Sequence, residues 1–223
     1  MLNLFIPILA QSGIRRIIAF SSTSRFTKAL SHCPKEQKIA EALEQNESTF
    51  TTHCEQYHIH WTLFRPTIIY SDNRDKKGIL FIRTIIKACK CFPLIGNGAG
   101  LRQPVHADDL AKACLAVIDH STTYEKAYNL SGGEILSYRD MIIRIFLSLK
   151  QKPILIPIPL PLLRMAISLL KIIPRYSYLN KEMANRIMKN QTFDHTAASQ
   201  DFNYAPRGFL TSAHDYGELA SDE

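Results

Sequence analysis

The sequence is poor in several things. Its 223 residues contain one tryptophan and nine glycines. It has no internal repeat and no low-complexity tract, so its composition excludes collagen and coiled coil. The five cysteines (Cys33, Cys54, Cys89, Cys91, Cys114) are odd in number and scattered, which excludes a disulfide mini-scaffold. Cys89-Lys90-Cys91 lacks the two-residue spacer of a zinc knuckle, and none of the eight histidines forms an H-x-x-x-H pair. No metal site is legible, and reduced thiols of a cytosolic protein are the expected state. Uninterrupted apolar runs of membrane-spanning length are also missing. Met1 to Ala10 is apolar but has no basic segment before it, so it makes a poor signal peptide. Ile154 to Ile173 is broken by Pro157, Pro159 and Pro161 and by Arg164 and Lys171.

Hydrophobic residues make up 46% and charged residues 21%, the balance of a globular chain. A chain of this length buries a core without staples. The 27 Lys and Arg against 20 Asp and Glu leave a net charge of +7. That suits an anionic partner: phosphate, nucleic acid or acidic lipid. No aromatic platform or recognised motif accompanies the charge, so nucleic-acid binding rests on net charge alone. From Arg139 to Lys189 ten basic residues face only Asp140 and Glu182. This segment is either a solvated basic face over a buried stripe or a region that touches an anionic membrane surface.

The order of elements is α/β. Leu2, Phe5, Ile6 and Leu9 have helical spacing, with Pro7 awkward inside it. Arg16 to Phe20 is a short apolar run that reads as a parallel strand buried on both faces, and it ends in Ser21-Ser22-Thr23-Ser24. Pro34 to Tyr57 reads as helix. His60 to Pro66 is the next strand, stopped by Pro66. Lys76 to Cys91 is helical, the glycines from Gly96 to Gly100 make a loop, and Gln103 to His106 is extended. Asp108 or Asp109 is expected to cap a helix carrying Leu110, Cys114, Val117 and Ile118. Tyr128 to Leu130 is a strand, and Ser137-Tyr138-Arg139-Asp140 opens a helix with a capping-box pattern. A strand at Ile154 to Ile156 and a helix from about Leu160 to Ile172 follow. Alternating strands and helices with short connections specify a mainly parallel sheet. In such sheets polar residues at strand carboxyl ends build the site. Ser21 to Ser24 and the Arg65-Pro66-Thr67 turn are such residues, although a serine or threonine after a strand is by itself an ordinary turn.

Taken in order, FSSTSRF, a helix, HWTLFRPTIIYS, PLIGNGAGLRQPVHADDLAKA and AYNLSGGEILSYRDM resemble the extended and atypical short-chain dehydrogenase/reductases. These are the NAD-dependent epimerase/dehydratase proteins that include nucleotide-sugar epimerases. The match runs over most of residues 13 to 150 and is looser from 151 to 207, where DFNYAPRGF resembles the family's tail. The resemblance implies a partial Rossmann-like, doubly wound parallel sheet with a small, mainly helical substrate-type region. Residues 1–130 would be the second half of an NAD(P)-binding domain, with 71–100 contributing to the substrate region, and 131–223 the remainder of that region. Ser22, with Thr23 beside it, lies where the catalytic hydroxyl stands, and Ser21, Pro66 and Thr67 lie where the family meets its cofactor, NAD or NADP. Arg102 matches the arginine that grips a nucleotide-sugar diphosphate. His106 and Asp109 match positions expected to be structural.

Two departures qualify the resemblance. No G-x-x-G-x-x-G occurs, so the segment that would hold a dinucleotide pyrophosphate is missing, and the chain reads as an N-terminally truncated member. None of the nine tyrosines has a lysine four residues on, so the family's usual acid/base pair is absent. Phe26 stands where many members have tyrosine. A sheet deprived of its front strands is expected to expose an edge, coverable by a second copy or another polypeptide. Two functions follow from the resemblance: an NAD(P)-dependent epimerase/dehydratase-like protein, incomplete or catalytically impaired, or a non-catalytic accessory module. Either would reside in the cytoplasm, the second at the inner face of a membrane.

Overall fold

A computed structural model of the protein describes residues 2–71, 79–159, 161–162, 165, 185 and 187–211. In chain order the elements begin with α1 (Leu2–Gln11), β1 (Arg16–Phe20), α2 (Ser24–Ala29), α3 (Pro34–Gln56), β2 (His60–Pro66) and β3 (Ile69–Tyr70). They continue with α4 (Ile79–Cys89), β4 (Phe92–Ile95), β5 (Leu101–Arg102), β6 (Val105–His106) and α5 (Ala107–Val117). Last come β7 (Lys126–Leu130), β8 (Leu136–Ser137), α6 (Tyr138–Ser148), β9 (Leu155–Ile158) and α7 (Thr196–Phe202). The chain forms two compact units. One comprises Met1–Thr67, Ala107–Ser131 and Phe193–Pro206; the other comprises Ile68–His106, Gly132–Thr192 and Arg207–Glu223.

The first unit is built on a parallel sheet in the order β1-β2-β7. Its register runs from Arg16↔His60 to Phe20↔Phe64, and from Thr62↔Lys126 to Pro66↔Leu130. Strand alternation sends Trp61 and Leu63 to one face and Thr62 and Phe64 to the other. On the first face Trp61 and Leu63 pack with Ile6 of α1 and Phe50 and Cys54 of α3. On the second, Phe64, Tyr128 and Phe202 meet ring to ring. The buried-on-both-faces pattern belongs to β2, which has a neighbour on each side. β1 is an edge, and its Phe20 is 51% exposed. Arg16, at the start of β1, turns into the unit and donates to the Val117 and Ile118 carbonyls and to Thr62 and Thr123.

α3 starts at Pro34, whose missing N–H costs nothing in a first turn. α5 starts at Ala107, directly after His106, so Asp108 and Asp109 lie inside its first turn instead of capping it. Carboxylates there suit the positive end of the helix dipole.

The second unit packs α4 on α6. Ile79, Ile82 and Ile86 at helical spacing meet Ile142, Ile145 and Phe146 in one core with Tyr70, Phe92 and Phe209. Each such fully buried side chain contributes roughly 1.5–3 kcal/mol. Around this core run three short strand pairs: β3–β6 and β4–β9, both parallel, and β5–β8, antiparallel. Pro104 interrupts the extended stretch expected from Gln103 to His106, so β5 and β6 pair with different partners. Ser137 caps α6, accepting from the Asp140 amide as the sequence pattern predicts. β9 falls where the strand at Ile154 is expected, and the helix expected after it lies largely outside the described residues. No helix among the described residues is long and apolar enough to cross a membrane.

Candidate functional site

β1 and β2 end side by side, and the polar residues that follow them are tied together. The Ser21 amide donates to the Phe64 carbonyl at 2.8 Å and the Thr23 amide to the Pro66 carbonyl at 3.2 Å. The Thr23 hydroxyl, in a residue 6% exposed, donates to the same Pro66 oxygen at 3.0 Å. The Thr67 amide donates to the Leu130 carbonyl at 3.1 Å, which joins the end of β7 to the group.

The hydroxyls differ in what they have left to offer. Ser21 Oγ donates to Glu47 Oε1 at 2.5 Å. Thr23 spends its proton on Pro66. Ser22 Oγ accepts from the Ser24 amide at 3.1 Å, and no protein acceptor for its own proton stands among the described residues. Of the three, Ser22 is the hydroxyl able to donate to a ligand oxygen.

Glu47 of α3 is the charged centre of this region and is 5% exposed. Arg65 reaches it with Nε at 3.0 Å and Nη2 at 2.7 Å, and Arg25 of α2 reaches it with Nη1. Burial alone would raise the Glu47 pKa, but hydrogen bonds from Arg65 and Ser21, the Arg65 charge and the Arg25 hydrogen bond outweigh it and hold it below the usual carboxylate range. Burial likewise opposes the Arg25 charge, yet Glu47 and Glu44 raise its pKa. Both guanidinium groups lie over Phe26, at 5.4 and 5.6 Å from the ring centre. Phe26 thus lies beneath two cations. Beside the cluster, between α3 and the β2–β7 face, is a cavity of about 420 Å³ whose lining includes Glu47, Arg65, Trp61, Leu63 and Ala127.

Sequence reasoning missed Glu47 and Arg25. A signal for Glu47 existed: the buried positions of α3 are Glu36, Ala40, Glu47, Phe50 and Cys54, so this carboxylate stands on the core-facing stripe.

The remaining candidates are placed as follows. Ser21, Ser22, Thr23, Pro66 and Thr67 are brought together in the first unit, whereas Arg102 belongs to the second. Arg102 is 3% exposed, and its Nη atoms donate to the carbonyls of Leu101, Lys189 and Ile187. Its guanidinium lies 5.6 Å from the Tyr138 ring centre. His106 is buried edge-on against Tyr70 at 4.9 Å. Asp109 is 5% exposed on α5, with Lys112 Nζ at 4.0 Å. Among the described residues no group of His, Cys, Asp and Glu could hold a metal ion.

A parallel sheet covered on both faces, with its polar cluster at the strand carboxyl ends, defines a doubly wound α/β protein. The chain belongs to the NAD dependent epimerase/dehydratase family, whose sequence model matches residues 6–131. Among curated proteins none matches the chain. Among solved structures, a UDP-glucose 4-epimerase from Thermotoga maritima, solved with UDP-glucose, aligns with a TM-score of 0.68 at 14% identity, over 97% of this chain and 68% of its own. A UDP-glucuronic acid 4-epimerase from Bacillus cereus, solved with NAD, gives 0.69 at 13% identity, over 97% and 66%. A dTDP-glucose 4,6-dehydratase from Bacillus anthracis, also solved with NAD, gives 0.64 at 12% identity, over 97% and 67%. The chain therefore has the fold of these enzymes and spans about two thirds of their length.

Proposed function

We propose that the chain is an NAD(P)-dependent epimerase/dehydratase-type protein acting on a nucleotide-sugar or a similar substrate, and that it is catalytically impaired. The observation that carries this reading is the hydrogen-bonded union of the Ser21–Thr23 and Pro66–Thr67 segments at the carboxyl ends of β1 and β2. The first unit takes the dinucleotide-binding role and the second the substrate role. A bound nicotinamide supplies hydride transfer. Ser22 donates its hydroxyl proton to a substrate oxygen and polarises it. The fit to the dinucleotide is partial: the Pro66 carbonyl and the Thr67 amide are already engaged, and no glycine-rich cradle for the pyrophosphate occurs in this sequence. Arg102 acts on the substrate diphosphate through its charge, since its Nη donors are held on carbonyls.

Impairment follows from the missing acid/base. A phenolate relay near neutral pH needs a lowered tyrosine pKa. Every described tyrosine whose pKa departs from its ordinary value moves the other way. Burial pushes Tyr138 up to about 12, and burial also raises Tyr128 and Tyr204.

The test is titration of the chain with NADH, NADPH and UDP- or dTDP-sugars, read by reduced-nicotinamide fluorescence and calorimetry. Weak binding of dinucleotide and sugar nucleotide without turnover is expected, weakened further by Ser22→Ala and Arg102→Met. Silence toward both ligand classes at millimolar concentration overturns the reading.

The missing phenol and the open β1 edge favour a second reading, a non-catalytic accessory module whose exposed sheet is covered by a second copy or another polypeptide. The basic stretch from Arg139 to Lys189 would set such a module against an anionic membrane. Size-exclusion with light scattering, and flotation with and without anionic lipid, decide it. A monomer that floats with neither vesicle rejects the self-paired and the membrane-set forms of this reading.

A further inference from the structure

Glu47 has no part in the reading above, yet more of the site hangs on it than on any residue named there. Its carboxylate takes hydrogen bonds from the residue after β1 (Ser21), from the end of β2 (Arg65) and from α2 (Arg25). The charged and polar groups facing it are therefore Arg25, Arg65 and Ser21; Glu44, on its own helix, reaches it through Arg25. Each of two anchors leads directly into a site segment. Ser22 and Thr23 follow Ser21, and Pro66 and Thr67 follow Arg65. The backbone bonds joining those segments lie at the end of the sheet, where pairing frays first. Charge-assisted bonds to a buried carboxylate are stronger than the neutral bonds they reinforce.

We infer that Glu47 is the positioning residue that fixes the Ser22-bearing turn against the Pro66–Thr67 turn, so that one ligand meets both. This rests on the function proposed above. A purely structural carboxylate would instead neutralise two guanidinium groups and support the whole sheet evenly.

The experiment is residue-resolved amide exchange by NMR on the full chain and on Glu47→Gln, Glu47→Asp and Ser21→Ala, together with dinucleotide titration. In Glu47→Gln the Ser21 and Thr23 amides are expected to exchange about ten- to a hundredfold faster, with Leu63 in the same sheet unchanged. Glu47→Asp restores part of the protection. Ser21→Ala, which removes a single donor, shows the same pattern more weakly and decides the matter if Glu47→Gln does not fold. In the wild type, and not in Glu47→Gln, the Ser21 and Thr23 amide shifts follow a titration below the usual carboxylate range. Unchanged exchange at Ser21 and Thr23 overturns the inference, and so does an equal loss of protection at Leu63. If the wild type and Glu47→Gln bind the dinucleotide equally, positioning fails while the function stands. If the exchange pattern appears and no ligand binds, the function fails while the coupling stands.

Discussion

Glu47 ionises more readily in the folded chain than in the unfolded one, because two arginines and a serine hydroxyl bind its charged form. The stability it contributes is therefore full above the unfolded carboxylate pKa of about 4.3. It is lost as pH falls through the lower folded value. Thermal unfolding followed against pH should show the wild type more stable than Glu47→Gln at neutral pH, with the two curves converging in acid. Thr23 and Ser22 hold different partners. Thr23→Val removes a buried hydroxyl donor from the Pro66 carbonyl and should cost about 1 kcal/mol in urea unfolding. Ser22→Ala leaves the Pro66 carbonyl untouched; it removes a proton that no described protein group uses but also the Oγ that accepts from the Ser24 amide, and should cost about 0.5–1 kcal/mol. The sequence shows the Ser-Ser-Thr-Ser run but not which hydroxyl is spent. That depends on Glu47 and on Pro66, 26 residues from Ser21 and 43 from Thr23.

Elements with a strong local signal are legible in the residue pattern alone. β1 and β2 occupy the residues that their apolar runs mark, and α6 begins after the serine that its capping pattern marks. Ser137→Ala should cost about 1 kcal/mol by freeing the Asp140 amide. The short strands β4 and β5 carry no such signal. Their pairing is set by β9 and β8, far along the chain. A similar long-range constraint acts on Gly132. A Cβ there would stand 1.9 Å from the Pro104 carbonyl oxygen. Backbone cannot yield as a side-chain tip does, so Gly132→Ala should destabilise the second unit by about 3 kcal/mol or more. Chemical denaturation followed by near-UV circular dichroism would measure it.

At the scale of the whole molecule, the chain enters each of its two units three times, which no contiguous reading of the sequence conveys. All five cysteines are free. A reducing agent should therefore leave the melting temperature unchanged, and a drop would reveal a cross-link between copies. Among the described residues the edge at β1 is one place where the sheet can associate. Phe20 at its end, half exposed, should be the sensitive position. Phe20→Lys is expected to suppress concentration-dependent association in light scattering without changing the far-UV spectrum.

The sequence by itself determined the periodicities: short apolar runs that form strands, helical stripes that form α3, α4 and α6, and the order of motifs that marks the family. These are properties of neighbouring residues, so they survive without knowledge of the fold. Only the tertiary structure decided that β2 and not β1 lies inside the sheet, and that the Arg102 donors close on carbonyls 85 and 87 residues away. It alone decided that Glu47 gathers two arginines and a serine. A hydrogen bond goes to whichever partner packing brings within about 3 Å, and that distance is not written along the chain.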